Sequence, residues 1–171
     1  MHHNIAATER TVIRKLVIED APFLYELMRS EGFLKYIGDR NIHSLADAEH
    51  YLQNSFFKVY GERGYGYYLV EDMLGERLGI AGFLKKPHLD NEDFGFAFLP
   101  SQVGKGYAYE ASVALLDFGQ DAFGFTVMDA ETATDNDASI ALLQKLGFQR
   151  LKVLTATEEH GESFLYRLQL S

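Results

Sequence analysis

The stretch Val103-Gly104-Lys105-Gly106-Tyr107-Ala108 restricts the fold of this chain more than any other. Before it runs Asp93 to Phe98, an apolar alternating segment that reads as a strand and is stopped by Pro100. After it, the segment from Ala108 to Phe123 carries Ala111, Leu115, Leu116 and Phe118 at helical spacing. Glycines on either side of Lys105 open backbone conformations closed to other residues and let a ligand approach the main chain. The first amides of a helix have no partner within the helix, and its dipole favours negative charge there. A strand, a GxG turn and a helix in this order therefore read as a cradle for a phosphate or pyrophosphate. Lys105 either adds a point charge or faces solvent. The turn alone does not name the ligand, because tight corners have the same composition. A dinucleotide fingerprint needs a third small residue where this chain has Tyr109, and a Walker loop needs Ser or Thr where it has Gly106.

The rest of the chain supplies a mixed α/β setting for that turn. Thr11 to Leu16 reads as a strand, and Glu19-Asp20-Ala21-Pro22 as the start of a helix striped by Leu24, Leu27 and Met28. Gly32 and Gly38 bracket an aromatic loop with Phe33 and Tyr36, and Ser44 with Asp47 opens a second helix reaching about Tyr60. Strand periodicity then governs Tyr67 to Val70, Leu78 to Leu84 and Asp93 to Phe98. A strand over Val127 to Ala133 leads to a helix over Asp137 to Leu146, closed by Gly147. Strands over Val153 to Thr157 and Phe164 to Leu170 end the chain, joined by the turn Glu158-Glu159-His160-Gly161. The predicted order is β-α-α-β-β-β-α-β-α-β-β, with some parallel pairing implied by the strand–helix–strand crossover.

Length and composition bound the function. A chain of 171 residues with 47% hydrophobic content buries one core, so residues 1–171 are expected to form a single domain. The absence of cysteine removes disulfides, thiolate metal sites and a cysteine nucleophile. Six histidines, at 2, 3, 43, 50, 88 and 160, show no i, i+4 pair, and no metal is expected. A net charge of −9 argues against nucleic acid and suits cationic partners, or serves solubility alone. The opening Met1-His2-His3-Asn4-Ile5 lacks a signal pattern, and no apolar run nears the roughly 18 residues of a membrane span. A cytoplasmic protein without membrane contact is expected.

Asp93-Phe94-Gly95-Phe96-Ala97-Phe98-Leu99-Pro100 followed by Gly104-Lys105-Gly106-Tyr107-Ala108-Tyr109-Glu110-Ala111 resembles the acetyl-CoA motif of GCN5-related N-acetyltransferases. Asn136-Asp137-Ala138-Ser139 and Lys145-Leu146-Gly147-Phe148 match a second motif. Thr8-Glu9-Arg10-Thr11-Val12-Ile13-Arg14 and Tyr36-Ile37-Gly38-Asp39-Arg40 look like the branch of ribosomal-protein serine and alanine N-terminal acetyltransferases, of the RimJ/RimL kind. The chain departs from the family at Val103, where Gln, Arg or an aromatic residue is usual, and at Leu143, where many relatives carry a proton-donating Tyr.

The resemblance implies a twisted mixed sheet splayed between its fourth and fifth predicted strands, with the pantetheine arm of acetyl-CoA inserted there. It implies donor contacts at Phe96, Ala97, Phe98, Val103, Gly104, Lys105, Gly106, Tyr107, Ala108, Asn136 and Ser139. Asp93, with Glu92 in reserve, takes the position of the carboxylate that relays the proton of the amine, or stands only as a surface acid at the strand edge. Ser139 meets the departing sulfur and Asn136 the pantetheine arm; both are also placed to cap a helix. Tyr36, Asp39, Arg40 and Tyr67, with Phe33, occupy segments that shape the acceptor site, although aromatic stripes are commonly core. Homodimers are common in the resembled family, and no feature of the sequence selects an interface. The rival readings are an acyl-CoA-binding sensor without catalysis, which needs neither Asp93 nor Ser139, and more distantly an NAD- or FAD-dependent enzyme.

Overall fold

A computed structural model of the chain describes residues 4–158 and 161–170. His2, His3, Glu159 and His160 lie outside the described residues. The strands are β1 (Asn4–Ala7), β2 (Thr11–Lys15), β3 (Tyr67–Asp72), β4 (Arg77–Leu84), β5 (Asp93–Phe98), β6 (Val127–Ala133), β7 (Gln149–Leu154) and β8 (Ser163–Gln169). The helices are α1 (Ala21–Met28), α2 (Glu31–Tyr36), α3 (Leu45–Tyr51), α4 (Lys58–Arg63), α5 (Tyr107–Phe123) and α6 (Asp137–Lys145). A π-helical stretch, Leu52–Phe57, joins α3 to α4 without a break.

One sheet runs in the order β1-β2-β3-β4-β5-β6-β8-β7. Every neighbouring pair is antiparallel except β5 and β6. The period of two in the strands sorts their side chains onto two faces. Tyr68, Val70, Leu78, Phe83 and Phe94 pack with Ala111 and Leu115 of α5 on one face. Leu69, Ile80 and Leu99 pack with Leu24, Leu27, Ala48 and Leu52 of the α1–α4 layer on the other.

Where sequence and structure differ, contacts between elements are the cause. The loop expected between Gly32 and Gly38 forms α2, because Phe33 is buried against the α1–α4 layer and draws its neighbours into a turn and a half of helix. The expected strand Val153 to Thr157 starts earlier, at Gln149, because pairing to β8 from Gln149↔Arg167 to Leu154↔Ser163 sets its register. β1 is an addition that follows from its antiparallel ladder with β2. Ser44 caps α3 as expected, its Oγ accepting the Asp47 amide at 3.1 Å. The entry to α1 is pinned by buried Asp20, which binds both Nη atoms of buried Arg14 at 2.9 and 3.0 Å and Nε of Arg77 at 2.6 Å.

Candidate active site

The glycine turn is shaped for an anion. Gly104 and Gly106 have φ of +82° and +85°, values that L side chains rarely adopt, and Gly106 is the N-cap of α5. The Glu110 amide closes the first helical turn on the Gly106 carbonyl. The amides of residues 104–109 donate to no acceptor among the described residues. Val103, Gly104, Lys105 and Gly106 are exposed, and Tyr107 and Ala108 are half-buried. The Lys105 ammonium reaches Gln102 Oε1 at 3.5 Å and stays on the surface of the turn.

β5 and β6 run together for one register pair, Asp93↔Asp129, and part beyond it. The Leu99 amide bonds to the Leu78 carbonyl, so the ladder turns the backbone of residues 93, 95 and 97 toward β4 and that of residues 94, 96 and 98 toward β6. Phe96 and Phe98 therefore present unpaired main chain to the gap. The Ala97 backbone belongs to the β4 ladder instead, opposite Ile80, and its side chain packs with the α1–α4 layer.

Asp93 stands where the strands separate, and it is not a surface acid: it is 2% exposed. Its Oδ1 accepts the Glu131 amide at 2.9 Å, the position at which a parallel ladder would supply a β5 carbonyl. Its Oδ2 lies 3.3 Å from Lys86 Nζ, which also reaches Glu131 Oε1 at 3.1 Å. Glu131 is further held by His88 Nε2 at 3.0 Å and by the Ser163 hydroxyl at 2.8 Å. Burial outweighs Lys86 and the amide at Asp93 and pushes its carboxyl up to about 6. Burial acts the same way on Glu131, but Lys86, Ser163 and His88 overcome it and hold that carboxyl down at about 2. One cation thus serves two carboxylates of opposite tuning.

On the far wall of the gap, β6 leads into α6. Asn136 caps α6 by accepting the Ser139 amide on Oδ1 at 3.3 Å, and its Nδ2 donates to nothing among the described residues. The Ser139 hydroxyl accepts a hydrogen bond from buried Thr132 at 2.9 Å, which leaves its own proton to be donated elsewhere. Leu143 is buried in the core, so α6 offers no proton donor at that position.

Tyr67 lies across the α1–α4 face of the sheet in the same row as Gly82 and Gly95. A Cβ on Gly95 would fall 2.2 Å from Tyr67 Oη, so the glycine is what lets the ring lie flat there. Burial pushes the Tyr67 phenol up, with the charge of Asp93 adding to the effect and Arg40 opposing it. Tyr67, Asp93 and Arg40 are thus brought together. Tyr36 is half-buried at the end of α2, beneath the Lys35 ammonium at 4.9 Å from its ring centroid. Asp39 is exposed and accepts the Asn41 amide at 2.7 Å, which makes it a turn-forming residue. Phe33 is core.

Sequence reading missed Lys86, His88, Glu131, Ser163 and Thr132. Lys86 and His88 sit in a loop without periodicity, and Glu131 and Thr132 read as ordinary strand residues; only their three-dimensional convergence marks them. Among the described residues no group of His, Asp and Glu has the makings of a metal site, and no helix is long and apolar enough to cross a membrane.

A mixed sheet that opens between two parallel neighbours, with an amide-lined turn leading into the following helix, defines the acyl-CoA N-acyltransferase class of fold. The family model described as an acetyltransferase (GNAT) domain matches residues 10–149, and the chain belongs to that family. It is an acetyl-CoA-dependent acyltransferase. The chain is 30% identical over 153 residues to YoaA of Bacillus subtilis (strain 168), described as an uncharacterized N-acetyltransferase, covering 88% of this chain and 85% of that protein. Among solved structures, a GNAT-family acetyltransferase from Bacillus anthracis superposes with a TM-score of 0.80 at 22% identity over 99% of each chain. RimL, the ribosomal L7/L12 alpha-N-protein acetyltransferase, in complex with coenzyme A superposes with a TM-score of 0.84 at 18% identity over 98% of each chain. These likenesses agree with the fold.

Proposed function

We propose that residues 1–171 act as one domain that moves the acetyl group of acetyl-CoA to a primary amine by direct attack in a ternary complex. The observation that carries this reading is the parting of β5 and β6 at Asp93, beside a turn whose amides are unpaired. The amides of residues 104–109 hold the pyrophosphate, with Val103 contributing backbone and Lys105 a nearby charge. The main chain of Phe96 and Phe98 pairs with the pantetheine arm, and the arm's far side meets Asn136 Nδ2. A backbone N–H on this stretch of β5 stabilises the oxyanion, since a donor fixed in a sheet does not reorganise during the reaction.

The acceptor enters from the α1–α4 face, between Tyr67, Arg40 and Tyr36. Asp93 is ionised at neutral pH yet basic enough to receive the proton of the amine. Both of its oxygens are already engaged by the Glu131 amide and Lys86, so the proton passes through a water to the lone pair that remains. Ser139, held by Thr132, donates a hydrogen bond to the departing thiolate, and the proton that CoA takes up comes from the amine by way of solvent.

Calorimetric titration with acetyl-CoA, NADH and ATP, on the wild type and on Gly106→Val, tests the donor. Micromolar binding of acetyl-CoA alone, lost in the variant, is expected; preference for NADH refutes the reading. Because the chain has no cysteine, a thiol reagent then reports only released CoA. The acceptor panel includes small amines and, because RimL is a ribosomal L7/L12 alpha-N-protein acetyltransferase, peptides with free N-termini. Tight acetyl-CoA binding with no CoA release across the panel would favour a sensor.

A further inference from the structure

The N-terminal motif Thr8-Glu9-Arg10 resembles the family and has no part in the reaction described above, yet the structure ties it to the glycine turn. Arg10 Nη1 donates to the Lys105 carbonyl at 3.0 Å. Arg10 Nε and its backbone amide each bind one oxygen of Glu110 at 3.0 Å, and the Thr8 hydroxyl donates to the same carboxylate. The guanidinium lies over the Tyr107 ring, 4.6 Å from its centroid. Glu110 and Tyr107 are themselves in the first turns of α5. The result is a clasp that joins the β1–β2 turn to the Lys105 carbonyl of the glycine turn and to the start of α5.

The clasp has a consequence for the cradle. In a trans peptide the carbonyl and the following N–H point in opposite directions. Fixing the Lys105 carbonyl on Arg10 therefore fixes the Gly106 amide facing away from Arg10, where it has no acceptor among the described residues. Between glycines at φ +82° and +85°, the Lys105–Gly106 peptide is otherwise free to flip. A flip would turn a carbonyl dipole toward an approaching phosphate in place of an N–H. A Cβ at Gly106 would also stand 3.1 Å from Arg10 Nη2, so clasp and turn are in contact.

We infer that Arg10 is a positioning residue for donor binding: it selects the peptide orientation in which the turn receives the pyrophosphate of acetyl-CoA. Glu110 and Thr8 orient Arg10 for this task. The inference rests on the donor reading given under Proposed function.

The test compares three ligands on the wild type, Arg10→Ala, Arg10→Lys and Glu110→Gln. CoA and 3′-dephospho-CoA, titrated by calorimetry, both carry the pyrophosphate; pantetheine, followed by NMR shift titration, does not. Arg10→Ala should weaken CoA and 3′-dephospho-CoA by the same factor, about tenfold, the order expected for one charge-assisted hydrogen bond. Pantetheine binding should not change. Arg10→Lys, which cannot bridge both Lys105 and Glu110, and Glu110→Gln should fall between wild type and Arg10→Ala. Equal weakening of pantetheine would mean a merely structural role and overturn the inference, as would unchanged CoA binding. A loss seen with CoA but not with 3′-dephospho-CoA would place Arg10 on the 3′-phosphate and overturn it too. If wild-type protein binds CoA no better than pantetheine, the donor reading itself fails, whatever the variants do.

Discussion

Replacing Lys86 by Met tests the electrostatics at the centre of the proposed mechanism. In the wild type, the Lys86 ammonium is 3.3 Å from Asp93 and 3.1 Å from Glu131. Unit charges 3.3 Å apart interact by about 5 kcal/mol at an effective dielectric of about 20. Lys86 is 30% exposed, and halving that figure for solvent leaves about 2.5 kcal/mol, or about two pH units. The Asp93 carboxyl should move from about 6 to about 8. As a base it must be ionised, so the acid limb of kcat/KM moves up with it, and at pH 7 the variant loses about tenfold, recovered by about pH 9. Stability follows the same titrations with opposite signs. The folded value of Asp93 lies above its usual 3.8, so its contribution is full below that value and lost as pH rises through about 6. Glu131 lies below its usual 4.5, so its contribution is present above that value and lost as pH falls through about 2. Carboxyl-carbon NMR titration of both proteins gives the midpoints, and CoA release against pH gives the rate profile. An unmoved acid limb, or a loss equal at all pH, would refute the claim that Lys86 sets the basicity of Asp93.

Two further substitutions separate chemistry from architecture. Ser139→Ala should lower kcat by about ten- to a hundredfold, the worth of one hydrogen bond to a charged sulfur, while acetyl-CoA affinity stays within about threefold; unchanged turnover removes Ser139 from the mechanism. Gly95→Ala places a methyl 2.2 Å from Tyr67 Oη. The ring has to lift from the sheet, which should cost about 1–3 kcal/mol of stability and raise the acceptor KM; an unchanged denaturant midpoint would show that Tyr67 adjusts freely.

Much of the fold was legible because its signals are local. β3, β4, β5, β6 and α5 announce themselves by periodicity and by Pro100, Gly104 and Gly106, and the structure places them within a few residues of the reading. β7 was not placed well, because Gln149 to Leu154 is a largely exposed edge strand whose register comes from β8 and not from its own pattern. The candidate site divides along the same line. The turn was visible as a motif, whereas the state of Asp93 was not. Glu92 and Asp93 are adjacent acids at the start of a strand, and alternation alone does not say which one is buried. Its partners come from a loop at Lys86 and from β6 at Glu131, separations across which a sequence carries no local signal.

The burial of Asp93 also explains how a sheet can part without stranding its main chain. Residues 129 and 131 of β6 face β5, since residues 128, 130 and 132 are paired to β8. The Asp129 amide takes the Glu92 carbonyl at 2.9 Å, and the next amide on that side, Glu131, would require a β5 carbonyl that the diverging strand does not bring within reach. The Asp93 side chain substitutes for it at 2.9 Å. An unpaired buried amide costs about 1–3 kcal/mol, so this one contact removes the penalty where the strands first diverge. Past that point nothing in β6 reaches Phe96 and Phe98, and an amide-bearing ligand that mimics a strand meets a backbone already turned toward it. The residue that bridges the diverging strands is thus the same residue proposed to act as base. Asn at this position could still accept the Glu131 amide through its carbonyl, but it would carry no charge and accept no proton, so the bridge would survive while the base is lost.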